Sequence, residues 1–458
     1  MGKIISTNPA KNYEILGEVE ISSDADVIEK VKLAKKAKLS WKELGVKKRV
    51  ELIKTVYEEF LNRKEALVEL IIKEIGKTRR DANRELDGYC ADFKWFLENG
   101  EKSLKEEVTY EDEKTVHAVY YEPFGVCAVI TPWNHPFGMF VWGVIPNLIA
   151  GNTVVFKHSE ECPLSGRLIE DIMLSKSLPL GVFSEVYGAG DVGSKLLEQE
   201  VNLIWFTGSS KAGKEIYNIG ANKFIKVILE MGGSNPGIMF KDADIDKFID
   251  KLYTKRFRGC GQACDALKRL IVEEHIFDEV VEKLKKEIRS KIVGDPGKEE
   301  TDIGSLVAKR QLELLEAQVK DALDKGAKVI TGGEKPSNME GAYYTPTILT
   351  RVTPDMRVWK EEVFGPVLVV VSFKNEEEAI SLANDTRYGL GALIFTKDKK
   401  RAERVALKIE AGTVEINSAT HWITCNPFGG YKESGMGREH GSYGFHELCQ
   451  IKVISKEK

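Results

Sequence analysis

The sequence predicts an α/β protein with two or three domains. The first observation is length, since 458 residues exceed what one hydrophobic core usually organises. The second is composition, because 42% hydrophobic and 30% charged residues are ordinary for a soluble globular chain. The third is an alternation of short apolar runs with helical stretches after the first quarter of the chain. That alternation is typical of βαβ units and a parallel sheet.

The first hundred residues are predicted to be mainly helical. Residues 22–41, "SSDADVIEKVKLAKKAKLSW", open with a Ser/Asp cap and continue with apolar positions at helical spacing. A longer pattern of the same kind covers residues 47–77 and ends at Gly76, a residue type that commonly terminates helices. From Val108 the sequence alternates and is broken by turns, so residues 108–121 are predicted to form a β-hairpin.

Two series of strand candidates follow the hairpin. The first series comprises "VCAVI", "TVVFK", "SEVYG", "LIWFTG" and "KVILEMGG". The second series begins near Asp242 and comprises "RLIVEE", "AKVITGG", "PVLVVVSF", "GALIFT" and "GTVEIN". Because helical stretches separate the members, each series is interpreted as a set of βαβ units.

Charge and thiol content argue against several classes of function. A net charge of −4 is unlike the basic footprint of nucleic-acid-binding proteins. The longest apolar stretch, "FGMFVWGVIPNLIAG", is too short and too interrupted by Pro and Gly to cross a bilayer, so no membrane partner is expected. Seven scattered cysteines and no signal peptide predict a reduced, cytoplasmic protein. No cysteine or histidine pairs stand together at ligand spacing, so no metal site is predicted.

Two glycine motifs are candidates for a phosphate site. The motif "GAGDVG" (188–193) has dinucleotide-type spacing after a strand, but no acidic residue follows at the required distance. A tight strand-to-helix turn is the alternative interpretation of that motif. The better candidate is "FTGSSKAG", where Gly208 and Gly213 bracket Ser209 at a strand-to-helix junction. Free N–H groups at such a helix start favour a pyrophosphate.

Seven motifs, taken in order, resemble the aldehyde dehydrogenase superfamily over nearly the whole chain. They are "TPWNHPFG" (131–138), "GNTVVFKHSE" (151–160), "FTGSSKAG" (206–213), "LEMGGSNP" (229–236), "GQACDALKR" (261–269), "EEVFGPV" (361–367) and "NPFGGYKESGMGRE" (426–439). The length is similar to that of short cytosolic members, which include succinate-semialdehyde dehydrogenases. The resemblance implies NAD(P)+-dependent oxidation of an aldehyde to a carboxylic acid through a cysteine thiohemiacetal and a thioester.

The resemblance also separates the two cysteines of "RFRGCGQACDALKRL". The family's nucleophile follows the Gly-Gln pair by one residue, which selects Cys264 and leaves Cys260 as a packing thiol. A thiolate adds readily to an aldehyde carbonyl provided that its pKa is lowered. The resulting oxyanion would be stabilised by Asn134 and by the backbone N–H of Cys264. Glu230 matches the family's general base for thioester hydrolysis, and the two following glycines are expected to leave it mobile and free of packing.

The same motifs imply a dinucleotide cofactor, NAD or NADP. Glu160 matches the residue that meets the adenosine ribose, and a carboxylate there repels a 2′-phosphate, which slightly favours NAD. Lys157 and His158 could offset that repulsion, so NADP use stays open. The full set of expected cofactor contacts is Trp133, Lys157, Glu160, Gly208, Ser209, Gly213, Glu362 and Phe364.

The substrate is left open between two classes. Arg258 matches an arginine with which semialdehyde dehydrogenases bind a distal carboxylate, as in succinate semialdehyde, although a surface arginine is the alternative. Trp142 stands where the second arginine of that clamp is expected, His135 replaces the family's usual Phe, and Trp422 lies in the loop that shapes the aldehyde entrance. These indoles favour instead an apolar or aromatic aldehyde, or a short hydroxylated one such as glyceraldehyde or lactaldehyde. A non-catalytic binding protein of the same fold is the remote alternative.

The architecture that the resemblance implies has three parts: a Rossmann-like cofactor domain, an α/β catalytic domain and a small β oligomerisation element. The sheet edges of the small element would be covered by other subunits, in a homodimer or homotetramer. The expected bounds are 1–107 and 122–230 for the cofactor domain, 231–427 for the catalytic domain, and 108–121 with 440–458 for the oligomerisation element, while 428–439 returns to the cofactor domain.

Overall fold

A computed structural model describes residues 2–176 and 178–458 and has the expected mixed α/β fold. Its helices are α1 Asp24–Glu43, α2 Gly45–Asn62, α3 Lys64–Ile75, α4 Arg79–Ser103, α5 Pro136–Ala150, α6 Pro163–Leu174, α7 Gly190–Glu198, α8 Ser210–Lys223, α9 Ile245–Phe257, α10 Phe277–Arg289, α11 Lys309–Asp324, α12 Arg357–Lys360, α13 Glu376–Asn384, α14 Lys399–Ala406 and α15 Gly441–Glu447, with short 3₁₀ turns at Arg258–Gly261 and Glu274–Ile276.

The strands are short and most of them belong to two large sheets. They are β1 Lys3–Asn8, β2 Glu14–Glu20, β3 Glu107–Glu111, β4 Thr115–Pro123, β5 Val126–Ile130, β6 Thr153–Lys157, β7 Phe183–Glu185, β8 Leu203–Gly208, β9 Lys226–Met231, β10 Asn235–Met239, β11 Leu267–Glu273, β12 Lys328–Thr331, β13 Thr347–Thr350, β14 Val367–Phe373, β15 Tyr388–Gly389, β16 Gly391–Phe395, β17 Thr413–Ile416, β18 Tyr431–Lys432, β19 Gly435–Met436 and β20 Cys449–Glu457.

The N-terminal helices follow the capping pattern of the sequence. Ser23 caps α1 by accepting from the backbone N–H of Asp26, and the Asp26 side chain accepts in return from the backbone N–H of Ser23. The prediction of one helix over residues 47–77 is wrong, because Arg63 leaves helical geometry (φ −106°, ψ 14°) and separates α2 from α3. The break lets each helix bury its own apolar face. Gly76 ends α3 in the left-handed conformation (φ 78°), as predicted.

The first sheet has six strands in the order β19-β9-β8-β5-β6-β7. Strands β5 to β9 are parallel to their neighbours, and only β19 joins in the antiparallel sense. All five strand candidates of the first series are found here. The strand order places the segments that follow β5, β6, β8 and β9 at one edge of the sheet, where ligands of open α/β sheets bind.

The second sheet has seven strands in the order β12-β13-β14-β11-β10-β16-β17. It contains all five candidates of the second series, and β12 alone is antiparallel to its neighbour. Two of its strands, β10 and β13, were not predicted. Strand β10 reads "NPGIM", and its Pro and Gly resemble a loop in sequence.

A separate sheet of three antiparallel strands has the order β20-β4-β3 and contains the predicted hairpin together with the C-terminal strand. Its apolar side chains Val108, Tyr110, Ile451 and Val453 are exposed. The preceding helix α15 packs instead on α4, where the rings of Phe96 and Phe445 are 5.8 Å apart. In residues 2–176 and 178–458, no helix combines the length and apolar character that a membrane crossing needs.

Candidate active site

A cavity of about 730 Å³ opens beside the carboxyl ends of the parallel strands in the six-stranded sheet. The segments after β5, β8 and β9 line one part of it, and the turn between α9 and β11 lines another. Helix α4, the first turns of α11, the segment with Glu362 and Phe364, and the loop that carries Trp422 line other parts. Of the residues expected from the sequence to form the site, the cavity is lined by Trp133, Asn134, Trp142, Gly208, Ser209, Arg258, Cys264, Glu362, Phe364 and Trp422.

Cys264 lies in the turn that precedes β11 and opens onto the cavity. Its carbonyl oxygen accepts from the side-chain amide of Asn235 at 2.8 Å and from the ammonium of Lys268 at 3.4 Å. The same Asn235 amide donates to the carbonyl of Ala266 at 3.1 Å, and its oxygen accepts from the N–H of Gly391 at 2.9 Å. Asn235 therefore fixes the turn that carries Cys264 against two strands of the second sheet.

The two thiols have different surroundings. Cys260 is buried in the core of the second sheet, and burial raises its pKa to about 12, as suits a packing thiol. Burial also raises the pKa of Cys264 well above its usual value, with a further rise from Asp265 that the Lys268 charge opposes. The lowered pKa that an attacking thiolate needs is therefore not found for Cys264 in this structure, because the charges present do not outweigh burial.

Asn134 follows β5 and is buried beside the catalytic turn. Its Nδ2 donates to the carbonyl of Gln262 at 3.1 Å, which leaves the second N–H of the same amide available. The side chain of Gln262 is itself held, since its Oε1 accepts from the N–H of Val307 at 2.9 Å. Asn134 is thus oriented by the Gly-Gln pair that precedes Cys264.

Glu230 lies on β9 and is 3% exposed, with neither carboxylate oxygen hydrogen-bonded among the described residues. Glu439 is buried in the same way, and its carboxylate also has no hydrogen bond to a described residue. Burial raises the pKa of Glu230 well above its usual value, Glu439 raises it further, and Arg438 opposes the rise. The expectation of a carboxylate free of packing is therefore wrong. The Glu230 side chain is packed but has no hydrogen bond to a described residue. Glu230 does not line the cavity, whereas its neighbours Met231 and Gly232 do.

The residues expected to bind a dinucleotide divide into two groups. Lys157 ends β6 and is buried, with its Nζ donating to the carbonyl of His158 at 3.0 Å, and burial lowers its pKa. Glu160 is partly exposed in the turn that follows. Ser209 caps α8 by accepting from the N–H of Ala212 at 3.3 Å. A cap at the start of a 14-residue helix fits the binding of a pyrophosphate.

Glu362 and Phe364 meet the catalytic turn from the other side. Lys268 donates to Glu362 Oε1 at 2.6 Å, and the N–H of Gly233 donates to the same oxygen at 3.1 Å. The Phe364 ring meets the Trp133 ring edge-on at 5.5 Å. Three residues expected to contact the cofactor do not line the cavity: Lys157, Glu160 and Gly213.

The carboxylates of the cavity are already engaged by protein donors. Asp92 accepts from the indole N–H of Trp142 at 2.9 Å and from the Thr424 hydroxyl, and Asp265 accepts from the indole N–H of Trp422 at 3.1 Å. The two indoles stack with their centroids 5.4 Å apart. Arg258 is the exception among the charged groups, since it lines the cavity and has no ion pair or side-chain hydrogen bond to any described residue.

Several residues of the site were not singled out in the sequence. Asn235 lies inside the motif "LEMGGSNP", and its place in that motif is the sequence feature that indicates a role in the site. Lys77, Glu85, Tyr89 and Asp92 reach the cavity from α4 and the segment before it. Their helical spacing resembles that of any amphipathic helix, and nothing local in the sequence distinguishes them.

Comparison with known proteins agrees with this geometry. The sequence pattern of the aldehyde dehydrogenase family matches residues 2–454. The betaine aldehyde dehydrogenase of Bacillus subtilis (strain 168) is 36% identical over 450 residues, which cover 97% of this chain and 92% of that protein. The NADP(+) succinate-semialdehyde dehydrogenase of Deinococcus radiodurans is 37% identical over 431 residues, covering 94% and 90%.

Solved structures are similar over the whole chain. An NADP-dependent enzyme of Escherichia coli superimposes with a TM-score of 0.96 at 33% identity, covering 100% of this chain and 95% of that one. The betaine aldehyde dehydrogenase of Staphylococcus aureus, solved in complex with NAD+, gives a TM-score of 0.95 at 32% identity, covering 99% and 91%.

Proposed function

We propose, given that the chain belongs to the aldehyde dehydrogenase family, that its aldehyde substrate carries a distal carboxylate, as succinate semialdehyde does. The chain is an NAD(P)-dependent oxidoreductase that converts aldehydes to acids. The observation that supports the substrate class is Arg258, whose guanidinium lines the cavity and has no partner among the described residues. A carboxylate would supply the missing charge, whereas a cationic substrate would meet carboxylates that are already hydrogen-bonded.

Cys264 is the proposed nucleophile. Its sulfur adds to the aldehyde carbon, and the oxyanion that forms receives hydrogen bonds from Asn134 Nδ2 and from the backbone N–H of Cys264. Because burial keeps the thiol protonated in this structure, the thiolate needs a positive charge or a base that arrives with the ligands. Loss of hydride from the adduct leaves a thioester on Cys264.

Glu230 is the proposed general base for hydrolysis of that thioester. It must turn from its buried position toward the cavity to take a proton from water. No hydrogen bond to a described residue opposes this movement, and Gly232 and Gly233 follow it directly. A raised pKa suits a group that has to accept a proton near neutral pH.

The cofactor is NAD or NADP, and bound NAD(P)+ supplies the hydride acceptor and a positive charge near the nicotinamide. Ser209 and the start of α8 would bind the pyrophosphate, Trp133 would contact the adenine side, and Glu362 and Phe364 would bind the nicotinamide end. We propose a slight preference for NAD, because the Glu160 carboxylate disfavours a 2′-phosphate. Gly208 and Gly213 border the same helix start, and Lys157 ends the strand β6.

The proposed setting is a cytoplasmic homo-oligomer. All seven cysteines are free thiols, which fits a reducing compartment. The exposed apolar side chains of the sheet β20-β4-β3 provide a surface that a second subunit could cover. A dimer and a tetramer are both compatible with this surface.

Replacement of Arg258 by Ala tests the substrate class. One charge-assisted hydrogen bond is worth about 1.5–3 kcal/mol, so kcat/KM toward succinate semialdehyde should fall on the order of tenfold to a hundredfold. Butanal has the same chain length without the charge and should be nearly unaffected. Equal losses on both aldehydes would make Arg258 structural, and the Trp142–Trp422 stack would then favour an apolar or short hydroxylated aldehyde.

The two cysteines offer a matched test of the nucleophile. Cys264→Ala should abolish aldehyde oxidation while binding of the reduced cofactor, followed by fluorescence, survives. Cys260→Ala should retain substantial activity, because its thiol is buried away from the cavity. A folded Cys260→Ala protein without activity would overturn the assignment.

A further inference from the structure

Three hydrogen-bond donors in the cavity have no protein partner among the described residues. They are the guanidinium of Arg258, the Nε2 nitrogen of His135 and the hydroxyl of Tyr89. His135 and Tyr89 both line the cavity. His135 Nε2 and the Tyr89 hydroxyl oxygen are not fully buried, so a ligand in the cavity can reach them. Donors left open in a cavity whose carboxylates are already engaged indicate a ligand rich in acceptors.

The tautomer of His135 follows from its neighbours. The Lys77 ammonium, itself paired with the buried Glu85 carboxylate, lies 3.2 Å from His135 Nδ1, whereas Glu85 Oε2 is 3.6 Å away from that nitrogen. Because an ammonium can only donate, Nδ1 is the acceptor and the ring proton belongs on Nε2. Burial and the Lys77 charge lower the pKa of His135, so the neutral ring is the form at neutral pH.

Glu85 makes this arrangement rigid. Besides Lys77, it accepts from the N–H groups of Phe137 at 3.2 Å and Gly138 at 3.4 Å, in the first turn of α5. The histidine is the N-cap residue of the same helix. The Nε2–H bond is therefore oriented by a chain of buried contacts that starts at a helix N-terminus.

Tyr89 and Arg258 line the same cavity as His135. The rings of Tyr89 and His135 meet edge-on with centroids 5.7 Å apart. Burial raises the pKa of Tyr89 well above its usual value, so its hydroxyl is a neutral donor. The Arg258 charge opposes that rise and contributes to the lowered pKa of His135, and its side chain lines the same cavity as both residues.

We propose that His135 Nε2–H and the Tyr89 hydroxyl complete, with Arg258, a three-donor site for the distal carboxylate of the substrate. The inference rests on the proposed function, since it takes the same substrate class. In this arrangement one cation and two neutral donors replace a two-arginine clamp, and Trp142 takes no part in binding the charge. The indole N–H of Trp142 is used on Asp92 instead.

The test compares succinate semialdehyde with butanal in the variants Tyr89→Phe and His135→Phe. Each variant removes one donor and keeps an aromatic ring. We expect kcat/KM for the semialdehyde to fall on the order of tenfold in each, mainly through KM, with butanal changed less than about twofold. His135→Gln, which retains an N–H donor, should recover part of the loss.

Tyr57→Phe is the matched control, because Tyr57 packs edge-on against Phe93 (5.1 Å) and does not line the cavity. It should leave both substrates unchanged. A thermal melt of every variant separates lost donors from lost folding. Calorimetric titration of the Cys264→Ala protein with succinate, with and without His135→Phe, repeats the comparison without turnover.

The outcomes separate the two proposals. Equal losses on both aldehydes, or no loss on the semialdehyde, in Tyr89→Phe and His135→Phe would overturn the three-donor site. If Arg258→Ala is still selective in that case, the proposed carboxylate substrate stands and only this inference fails. If Arg258→Ala is not selective, the proposed substrate class itself fails.

Discussion

Glu85 and Glu230 are carboxylates beside the same site with similar burial, 4% and 3% exposed, and with opposite surroundings. Burial would raise the pKa of Glu85, but the Lys77 charge and His135 bring it down to about 2. Glu230 has no such donors in the part of the chain that the structure describes, and its pKa is raised by burial and by Glu439. A buried carboxylate with matched donors is a stabilising group, whereas one without them is held ready to exchange a proton.

The largest expected effect on rate comes from replacing Glu230, the carboxylate without hydrogen-bond donors among the described residues. Glu230→Gln should slow thioester hydrolysis by roughly 10²- to 10⁴-fold, the usual range for loss of a general base. Hydride transfer should be affected less, because the base acts on water and not on the aldehyde. Rapid-mixing kinetics should then show a burst of reduced cofactor followed by slow turnover. Normal steady-state turnover in this variant would remove Glu230 from the mechanism.

The next largest effect is a loss of stability when Glu85, the carboxylate paired with Lys77, is replaced. Glu85→Gln leaves the Lys77 ammonium buried without its counter-charge and weakens the acceptor at the start of α5. Removal of one partner of a buried ion pair costs about 3–5 kcal/mol, so the free energy of unfolding should fall by that order. Urea denaturation measures it. Glu65→Gln, at an exposed ion pair, is the control and should change stability by less than about 1 kcal/mol.

The smallest effect concerns the coupling of Glu230 to its neighbour. Glu439→Gln removes a negative charge that raises the pKa of Glu230, so that pKa should move down toward its usual value. Glu230 acts as a base when deprotonated, and hydrolysis therefore gains rate as pH rises through this pKa. The pH profile of single-turnover hydrolysis should shift to lower pH in the variant. A profile that stays in place would show that the two carboxylates do not interact.

The comparison also shows what the sequence could and could not predict. The motifs predicted the α/β fold and seven residues that line the cavity, among them Cys264 and Asn134, because those seven lie in short segments beside the ends of strands and helices. The wider resemblance added Trp142, Arg258 and Trp422. The surroundings of Glu230 were mispredicted, since its two following glycines do not reveal that Glu439, more than two hundred residues away, is buried with it.

The three-donor site was beyond sequence reasoning for a related reason. Tyr89 lies on α4, where its spacing is that of any amphipathic helix. His135 was noticed as a replacement for Phe, but its tautomer depends on Lys77 and Glu85, which the fold brings to it. The predicted helix boundaries are wrong where a single residue leaves helical geometry, as Arg63 does between α2 and α3.

The side chain of Asn235 joins the carbonyl of Cys264 to the backbone of β16 through Gly391. The position of the nucleophile is therefore tied to the pairing of β10 and β16 at the middle of the seven-stranded sheet. An enzyme built in this way cannot lose the order of that sheet and keep a correctly placed sulfur. Inactivation and loss of the seven-stranded sheet should then coincide along a denaturant titration, with no inactive form that keeps this sheet between them.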